Sequence, residues 1–389
     1  HMMQENSFDV IVVGLGGHGS STLAYLAKNH PNLRVLGIEQ FSVTHKNGSS
    51  HGRSRIYRQA YFEDPAYVPL LQRSLELWKN LQSFHENHEP TSSFRPLDLC
   101  GGVMIGPPDS EVVRGTLVSI AQHSLPHQIL SATEMKERYG VFHLSEEEIG
   151  VWESNAGYLH PEVCIETFIA LAKQHLANTH YDEKLLSYER VDPTLAESQG
   201  MTLQVVTDRG KYHCKKLILT VGAWANEIYG HALPKSFPLT IERRVLFWFE
   251  PTEPDNFELH NQFKRMPVYI WDLGKTGTGN FYGFPEQAGY EGIKVAMHHC
   301  KDEKLVVSSP TTIDRVVAEE EVEMMRDMLR QKIPAMNGRL LHTETCMYTM
   351  TPDQHFLIDF HPSINDVILA SPCSGHGFKF VSVIGEILS

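Results

Sequence analysis

The sequence lacks long apolar runs and has few cysteines, and each shortage excludes a class of protein. Its apolar runs stay short of the roughly 18–20 residues that span a bilayer, so no membrane association is expected. Its six cysteines lack the paired or clustered spacing of a disulfide framework or a metal site. We therefore expect reduced thiols in a cytoplasmic enzyme that holds no metal. A peroxisomal location is the alternative for a eukaryotic source, although no C-terminal targeting tripeptide is visible.

Basic residues are scarce relative to acidic ones. The 34 lysines and arginines stand against 47 aspartates and glutamates, and the formal net charge is -13. Nucleic acid is therefore not an expected partner, because its binding depends on cations that neutralise phosphates. No secretory signal is recognised after His1 and Met2, which we interpret as a remnant of cloning. The 389 residues exceed the size at which single cores usually split, which predicts two domains.

The sequence does contain a dinucleotide-binding signature close to its start. Residues 8–13 are mostly apolar and predict a buried parallel strand, and Gly14, Gly16 and Gly19 follow with the spacing G-x-G-x-x-G. The first glycine permits a tight turn, the second lets the backbone approach a pyrophosphate, and the third lets the next helix pack against the strand. That helix, predicted over residues 20–30, directs its first N–H groups toward the phosphates.

A second predicted strand supports this interpretation. Residues 33–38 are largely apolar and end at Glu39, which lies 20 residues after Gly19. An acid at this distance accepts hydrogen bonds from a ribose 2′-hydroxyl, which disfavours NADP. The alternative is an ordinary β-α-β unit with a glycine-rich turn and a surface glutamate.

A polar loop with several cations follows the second strand. Residues 47–58 include His51, Arg53, Arg55 and Arg58 and lie where nucleotide-binding folds place their ligands. The loop is either an anion-binding site, with Arg55 and Arg58 on one face of a turn, or a solvated basic segment. The residues alone do not decide between these alternatives.

The remaining chain alternates helical and strand-like segments. Helices are predicted over 67–84, over 110–139 in two pieces interrupted near Pro126, over 160–176 and over 316–333. A hairpin is predicted over 205–216, a strand leads into Gly222, and β-rich segments are predicted at 237–249, 268–271 and 280–284. A last strand over 367–370 precedes Gly375 and Gly377. These distant glycine turns converge only if the nucleotide-binding domain is assembled from separated segments.

Together these segments resemble the monomeric sarcosine oxidase family, which includes N-methyltryptophan oxidase and pipecolate oxidase. The resemblance covers essentially the whole chain and is most specific in the runs Cys-Met-Tyr-Thr at 346–349 and Ser-Gly-His-Gly-Phe-Lys at 374–379. It implies an α/β fold whose Rossmann-like, glutathione-reductase-type FAD domain comprises 1–90, 152–228 and 340–389. Residues 91–151 and 229–339 would form an α+β substrate domain on an antiparallel sheet.

The resemblance also implies roles for individual residues. FAD would be attached covalently through Cys346, while Lys294 activates oxygen. The remaining assignments are His51 and Arg55 facing the flavin, His298 and Tyr282 on the substrate side, and Arg58 and Lys379 binding the substrate carboxylate. Further cofactor contacts are expected from Ser49, Ser54, Gly222, Met347, Gly375, Gly377 and Lys379.

Three bulky aromatic residues, Tyr269, Trp271 and Phe247, are expected to line the substrate pocket, with Tyr269 contacting the substrate. Without the resemblance, Lys294 would be interpreted as an exposed strand lysine and Cys346 as a buried apolar cysteine. The sequence departs from the family pattern in having Ser54 in place of threonine and in having Arg53.

The implied function is an FAD-dependent oxidase of N-methylated or cyclic secondary amino acids that works as a monomer. It would form an imine, reduce oxygen to hydrogen peroxide and, from an N-methyl substrate, release formaldehyde. One alternative is a related FAD dehydrogenase that passes electrons to a protein or quinone. Another is a flavin-binding protein without turnover.

Overall fold

The computed structural model describes residues 6–192, 200–235, 237–274, 279–299 and 305–389. Its helices, numbered in chain order, are α1 Gly17–Asn29, α2 Val68–His88, α3 Glu111–His123, α4 Ala132–Arg138, α5 Pro161–Gln174, α6 Ala225–Tyr229, α7 Phe257–Lys264, α8 Glu319–Lys332 and α9 Val381–Leu388. Among the described residues, no helix has both the length and the apolar character needed to cross a bilayer.

An eight-stranded sheet carries the predicted nucleotide-binding unit. Its main path runs β10 (Leu185–Arg190), β11 (Leu203–Thr207), β12 (Lys211–Leu219), β1 (Ser7–Val13), β2 (Val35–Ile38) and β9 (Asn178–His180). The end of β12 also pairs in parallel with β20 (Ile364–Ser371), which pairs with β19 (Leu357–His361). Because β1, β2, β12 and β20 are parallel, their carboxyl ends meet at one edge, where segments far apart in sequence come together.

A nine-stranded sheet forms the second layer. Its main path runs β17 (Val306–Val307), β13 (Thr240–Phe249), β16 (Ile293–His299), β15 (Asn280–Gly283), β14 (Val268–Asp272), β5 (Gly102–Gly106), β7 (Ile149–Glu153) and β6 (Gln128–Ser131). The long strand β18 (Leu340–Met350) pairs with β13, and only the β14–β5 pair of this sheet is parallel within the described residues. A small third sheet joins β3 (Arg55–Tyr57), β8 (Gly157–Leu159) and β4 (Leu97–Asp98).

Tight packing at the first turn explains two of the predicted glycines. Gly14 has a φ of +89°, and a Cβ there would overlap the carbonyl oxygen of Thr220 at the end of β12. A Cβ on Gly19 would overlap the carbonyl oxygen of Gly14. Gly19 therefore lets α1 approach β1, as the sequence predicts.

The α/β fold class is confirmed, while one predicted helical segment is partly wrong. The segment predicted as two helices over 110–139 contains strand β6 between α3 and α4, because residues 128–131 pair with β7. Strand β18 lies within the segment assigned to the FAD domain but pairs with β13 of the nine-stranded sheet. The predicted domain boundaries stay a prediction.

Candidate active site

Two adjoining cavities lie between the sheets. The first, of about 900 Å³, faces the nine-stranded sheet, and the second, of about 1100 Å³, lies at the carboxyl ends of β1 and β12. Four of the described residues line both cavities: His18, Ser49, Ser50 and Cys373. The two cavities therefore meet at a polar neck and form one elongated space.

Most of the predicted site residues line these cavities. The first is lined by Ser49, Arg55, Arg58, Tyr282, His298, Cys346, Met347, Gly375, Gly377 and Lys379. The second is lined by Gly14, Gly16, Glu39, Ser49 and Gly222. The predicted residues outside both walls are Gly19, His51, Ser54, Tyr269 and Lys294.

The second cavity has the features that a dinucleotide requires. Among the residues that the structure describes, a Cβ added to Gly16 would meet only the Ser50 hydroxyl, at 3.6 Å, and one added to Gly222 would meet nothing within 4 Å. The buried Glu39 carboxylate accepts hydrogen bonds from the amides of Leu15, at 2.8 Å, and Phe41, at 3.0 Å. These two hydrogen bonds hold the Glu39 carboxylate at the cavity wall. The carboxylate keeps further lone pairs that can accept hydrogen bonds from a ribose.

His18 supplies an unpaired polar atom at the neck. Its Nδ1 is buried and has no hydrogen-bond partner among the described residues. Burial lowers the pKa of His18 to about 4, so the ring is neutral at pH 7. A buried atom of this kind is expected to bind a ligand group or a water molecule. This neck, the open glycines and Glu39 together fit an FAD molecule that extends through both cavities.

Arg58 and Lys379 form a buried pair of cations in the first cavity. Nη2 of Arg58 donates to both carboxylate oxygens of Glu63, at 2.6 and 2.7 Å, while Nε is buried and unpaired among the described residues. Nζ of Lys379 donates to the carbonyl of His376 at 2.8 Å. Burial and the charge of Arg58 lower the pKa of Lys379 to about 7, against the opposing effect of Glu63. The cavity can therefore accept an anion at this end.

Glu63 is a wall residue that the sequence reasoning missed. Burial raises the pKa of this carboxyl, but the charges of Arg58 and Lys379 bring it below its ordinary value, so it remains ionised at neutral pH. The one available signal was its position, five residues after Arg58. That spacing fits no regular element, so only the folded loop reveals the ion pair.

Strands β15, β16 and β18 present a second group of side chains to the same cavity. Nδ1 of His298 lies 3.1 Å from the hydroxyl of Tyr348. Tyr348 is another wall residue that the sequence reasoning missed, although it lies within the run at 346–349. Burial raises the pKa of Tyr282 to about 12, and the same cause raises that of Tyr348. Both phenols therefore stay protonated at neutral pH and can donate hydrogen bonds. Cys346 lies beside them and is 3% exposed.

Lys294 lies behind the cavity wall. Its side chain is 2% exposed, which excludes the interpretation of Lys294 as an exposed strand lysine. Its Nζ donates to the carbonyls of Gly52 and Ser54, at 2.7 Å each. Burial, followed by the charge of Arg55, holds the pKa of Lys294 well below its ordinary value. Lys294 thus supplies a buried polar group next to Arg55, which itself lines the cavity.

Arg55, His51 and the Ser54 hydroxyl complete this region. Arg55 donates from Nη1 to the carbonyl of Ser54, at 2.7 Å, and from Nη2 to that of Ser49, at 2.8 Å. Nδ1 of His51 lies 3.0 Å from Glu344, whereas its Nε2 and the Ser54 hydroxyl are buried and unpaired among the described residues. Burial lowers the pKa of His51 despite its contact with Glu344.

Tyr269 contradicts its predicted role. It is fully buried in an aromatic core on the other face of the sheet, with its ring 5.1 Å from that of Phe142. Trp271 and Phe247 belong to the same core, whereas Ile270 lines the first cavity. Side chains two positions apart on a strand share a face, so Tyr269 and Trp271 lie in the core together, while Ile270 between them faces the cavity.

Comparisons with known proteins identify relatives of this chain. The profile of a family described as FAD dependent oxidoreductase (DAO) matches residues 9–389. A monomeric sarcosine oxidase of Streptomyces avermitilis is 40% identical, over 98% of this chain and 93% of that protein. An N-methyl-L-tryptophan oxidase of Yersinia pestis is 30% identical, with 98% and 93% covered. Among solved structures, NikD, an unusual amino acid oxidase essential for nikkomycin biosynthesis, has a TM-score of 0.81 at 21% identity, with 98% and 93% covered.

Proposed function

Because the chain belongs to the family of FAD-dependent oxidoreductases, we propose that it oxidises secondary amino acids with molecular oxygen as the electron acceptor. The substrates we propose are N-methylated or cyclic amino acids of the sarcosine, N-methyl-L-tryptophan or pipecolate type. The observation that carries the proposal is the buried Arg58–Lys379 pair in the cavity that also contains Cys346. The names of the two relatives support it, since both are oxidases of N-methyl amino acids.

FAD, when bound, accepts a hydride from the amine and passes the electrons to oxygen. The glycines at 14, 16 and 222, with Glu39, would hold its nucleotide end, and His18 and Ser49 would border its middle. Arg55 and Cys346 would contact its redox-active end. We propose that the thiol of Cys346 forms the covalent attachment.

The substrate carboxylate is proposed to bind Arg58 and Lys379. The unpaired Nε of Arg58 offers a donor, and Lys379 offers an ammonium when protonated. An anion between them raises the pKa of Lys379, so carboxylate binding and protonation of this lysine reinforce each other. Tyr282 and His298, which line the same cavity, would then border the amine and the carbon to be oxidised. The amine itself must be unprotonated to lose a hydride.

Lys294 is proposed to act on oxygen. Reduction of oxygen begins with the development of negative charge, which a fixed positive charge stabilises in a site that excludes water. The two backbone acceptors of Lys294 fix its Nζ beside Arg55 and favour the ammonium form, against burial and Arg55, which lower its pKa. His51 would support the same side of the site. The monomeric state and the cytoplasmic location stay predictions.

A substrate panel tests the proposal. Sarcosine, N-methyl-L-tryptophan, pipecolate and proline are assayed for peroxide, oxygen uptake and formaldehyde. We expect equal amounts of peroxide formed and oxygen consumed, and formaldehyde only from an N-methyl substrate. Dimethylamine, which lacks a carboxylate, is the control and should be a poor substrate.

Two results would contradict the proposal. Reduction of an artificial dye without peroxide would indicate a dehydrogenase. If none of the four amino acids bleached the flavin anaerobically, oxidation of secondary amino acids would be wrong.

A further inference from the structure

The backbone of residues 52–54 lies between a carboxylate and a buried ammonium group. The amides of Gly52 and Arg53 donate to Oε1 of Glu162, at 2.8 and 3.1 Å. The carbonyls of Gly52 and Ser54 accept from Nζ of Lys294, at 2.7 Å each. The loop therefore presents N–H groups to an anion and C=O groups to a cation, so each charge stabilises the peptide orientation that the other requires.

The loop is also held in an uncommon conformation. Gly52 has a φ of +91° and Arg53 a φ of +72°, a region that a non-glycine residue seldom adopts. The guanidinium of Arg53 lies between the rings of Trp248 and Tyr290, at 5.1 and 4.8 Å from their centroids. Positive φ at a non-glycine residue persists only where the surroundings fix it. Glu162 supplies such a constraint through both amides.

We propose that Glu162 is a positioning residue that acts through loop 52–54 to hold the Lys294 ammonium and to preserve its positive charge. This inference rests on the proposed role of Lys294 in oxygen reduction. Glu162 lies in the first turn of α5, and its Oε2 is buried without a hydrogen-bond partner among the described residues. Its charge is therefore only partly compensated and acts on its surroundings.

Several charges face Lys294, and they act in opposite directions. Burial and Arg55 lower its pKa, whereas Glu162 and Glu344 raise it; a free Cys346 thiol also raises it, but the proposed thioether would carry no charge. His160, beside Glu162 in sequence, also interacts with the lysine charge. Removing the charge of Glu162 should therefore make Lys294 lose its proton at lower pH.

The Glu162→Gln variant tests the charge, because glutamine keeps the volume and one acceptor oxygen. We expect anaerobic flavin reduction by substrate to change less than twofold. Reoxidation of the reduced enzyme by oxygen should slow at high pH, where Lys294 loses its proton, and the midpoint of this decrease should move to lower pH by roughly one unit. At a fixed pH above the midpoint, the reoxidation rate should drop about tenfold. The Glu162→Asp variant keeps the charge and should retain the parent pH profile. Glu166→Gln, one turn further along α5 and exposed, is the matched control and should change neither half-reaction.

Hydrogen exchange supplies a measurement that does not depend on turnover. In the holoenzyme, Glu162→Ala should speed exchange of the peptide that contains residues 52–54, whereas Glu162→Gln should leave it near the parent rate. Unchanged exchange in Glu162→Ala would overturn the positioning role, as would an unshifted pH profile in Glu162→Gln.

The Lys294→Met variant tests the role of Glu162 separately from the proposed role of Lys294 in oxygen reduction, on which it rests. Reoxidation at the parent rate in Lys294→Met would show that Lys294 does not act on oxygen, and both proposals would then be wrong. Slow reoxidation in Lys294→Met combined with a parent-like Glu162→Gln enzyme would overturn the role of Glu162 alone.

Discussion

At the scale of single residues, Cys346 is the side chain expected to form the covalent bond to FAD. Its side chain lines the first cavity, but its thiol is also buried, which by itself is typical of an inert core cysteine. Only a cysteine beside the bound cofactor can form a thioether with it. The position of Cys346 on β18 at the cavity wall supports attachment there.

Replacing this thiol should free the cofactor. In Cys346→Ser, FAD should be released by acid precipitation, because a serine hydroxyl is a far weaker nucleophile than a thiol. The parent protein should keep its yellow colour in the precipitate. Cys373→Ser is the matched control, since Cys373 also lines this cavity, and it should keep the colour in the pellet. A yellow supernatant from the parent protein would show that the attachment does not exist.

The same scale shows why some site residues escape sequence reasoning. Glu63 belongs to the site because it pairs with the guanidinium of Arg58. Glu162 belongs to it because it accepts hydrogen bonds from two backbone amides of a loop far away in sequence. Neither carboxylate lies in a motif with recognisable spacing. Acidic residues are common in this chain, so their type alone carries little information.

At the scale of elements, strand β14 divides its side chains between two environments. Tyr269 faces the aromatic core, and its hydroxyl is buried without a partner among the described residues. Ile270, the next residue, lines the first cavity. The strand therefore serves the site through its aliphatic residue and the core through its aromatic residue.

This division predicts opposite outcomes for adjacent substitutions. Tyr269→Phe should leave KM unchanged and leave the melting temperature equal or higher, because it removes an unsatisfied buried hydroxyl. Ile270→Ala enlarges the cavity, so it should raise kcat/KM for bulky amino acids relative to sarcosine and should destabilise the fold by about 2–5 kcal/mol. Steady-state kinetics with thermal unfolding checks both variants. A changed KM in Tyr269→Phe with unchanged selectivity in Ile270→Ala would reverse the assignment.

At the scale of the whole molecule, the two sheets meet around one elongated space. The nucleotide end is built from β1, β12 and their turns, and the other end from β15, β16 and β18. His18, Ser49, Ser50 and Cys373 border both parts. A ligand spanning the space touches both sheets and should therefore stabilise the molecule as a unit.

Removing FAD should lower the stability of the whole molecule. In the Cys346→Ser background, the FAD-free protein should melt at a lower temperature than the loaded protein. Added FAD should restore the melting temperature in a concentration-dependent way. At 100 times its Kd, FAD should add about 2.7 kcal/mol to the free energy of unfolding. ADP, which fills only the nucleotide end, should restore part of the difference. Equal melting temperatures with and without FAD would contradict a cofactor that bridges the two sheets.

The sequence by itself determined the nucleotide-binding unit. Strand β1, the glycine turn and α1 are specified by neighbouring residues, since the positive φ of Gly14, the close approach of Gly19 to Gly14 and the apolar run before them act over a few positions. The resemblance extended this to Arg58, Lys379 and Cys346, which the fold brings to one cavity.

Only the tertiary structure decided the remaining features. It placed Tyr269 in the core and turned residues 128–131 into a strand, because the register of a strand and its pairing partner depend on distant segments. It placed Lys294 behind the wall and joined it to Glu162 through loop 52–54. Charges, hydrogen bonds and faces are properties of pairs of residues. Where two members of a pair lie more than 100 positions apart, as Glu162 and Gly52 do, only the folded chain shows that they meet.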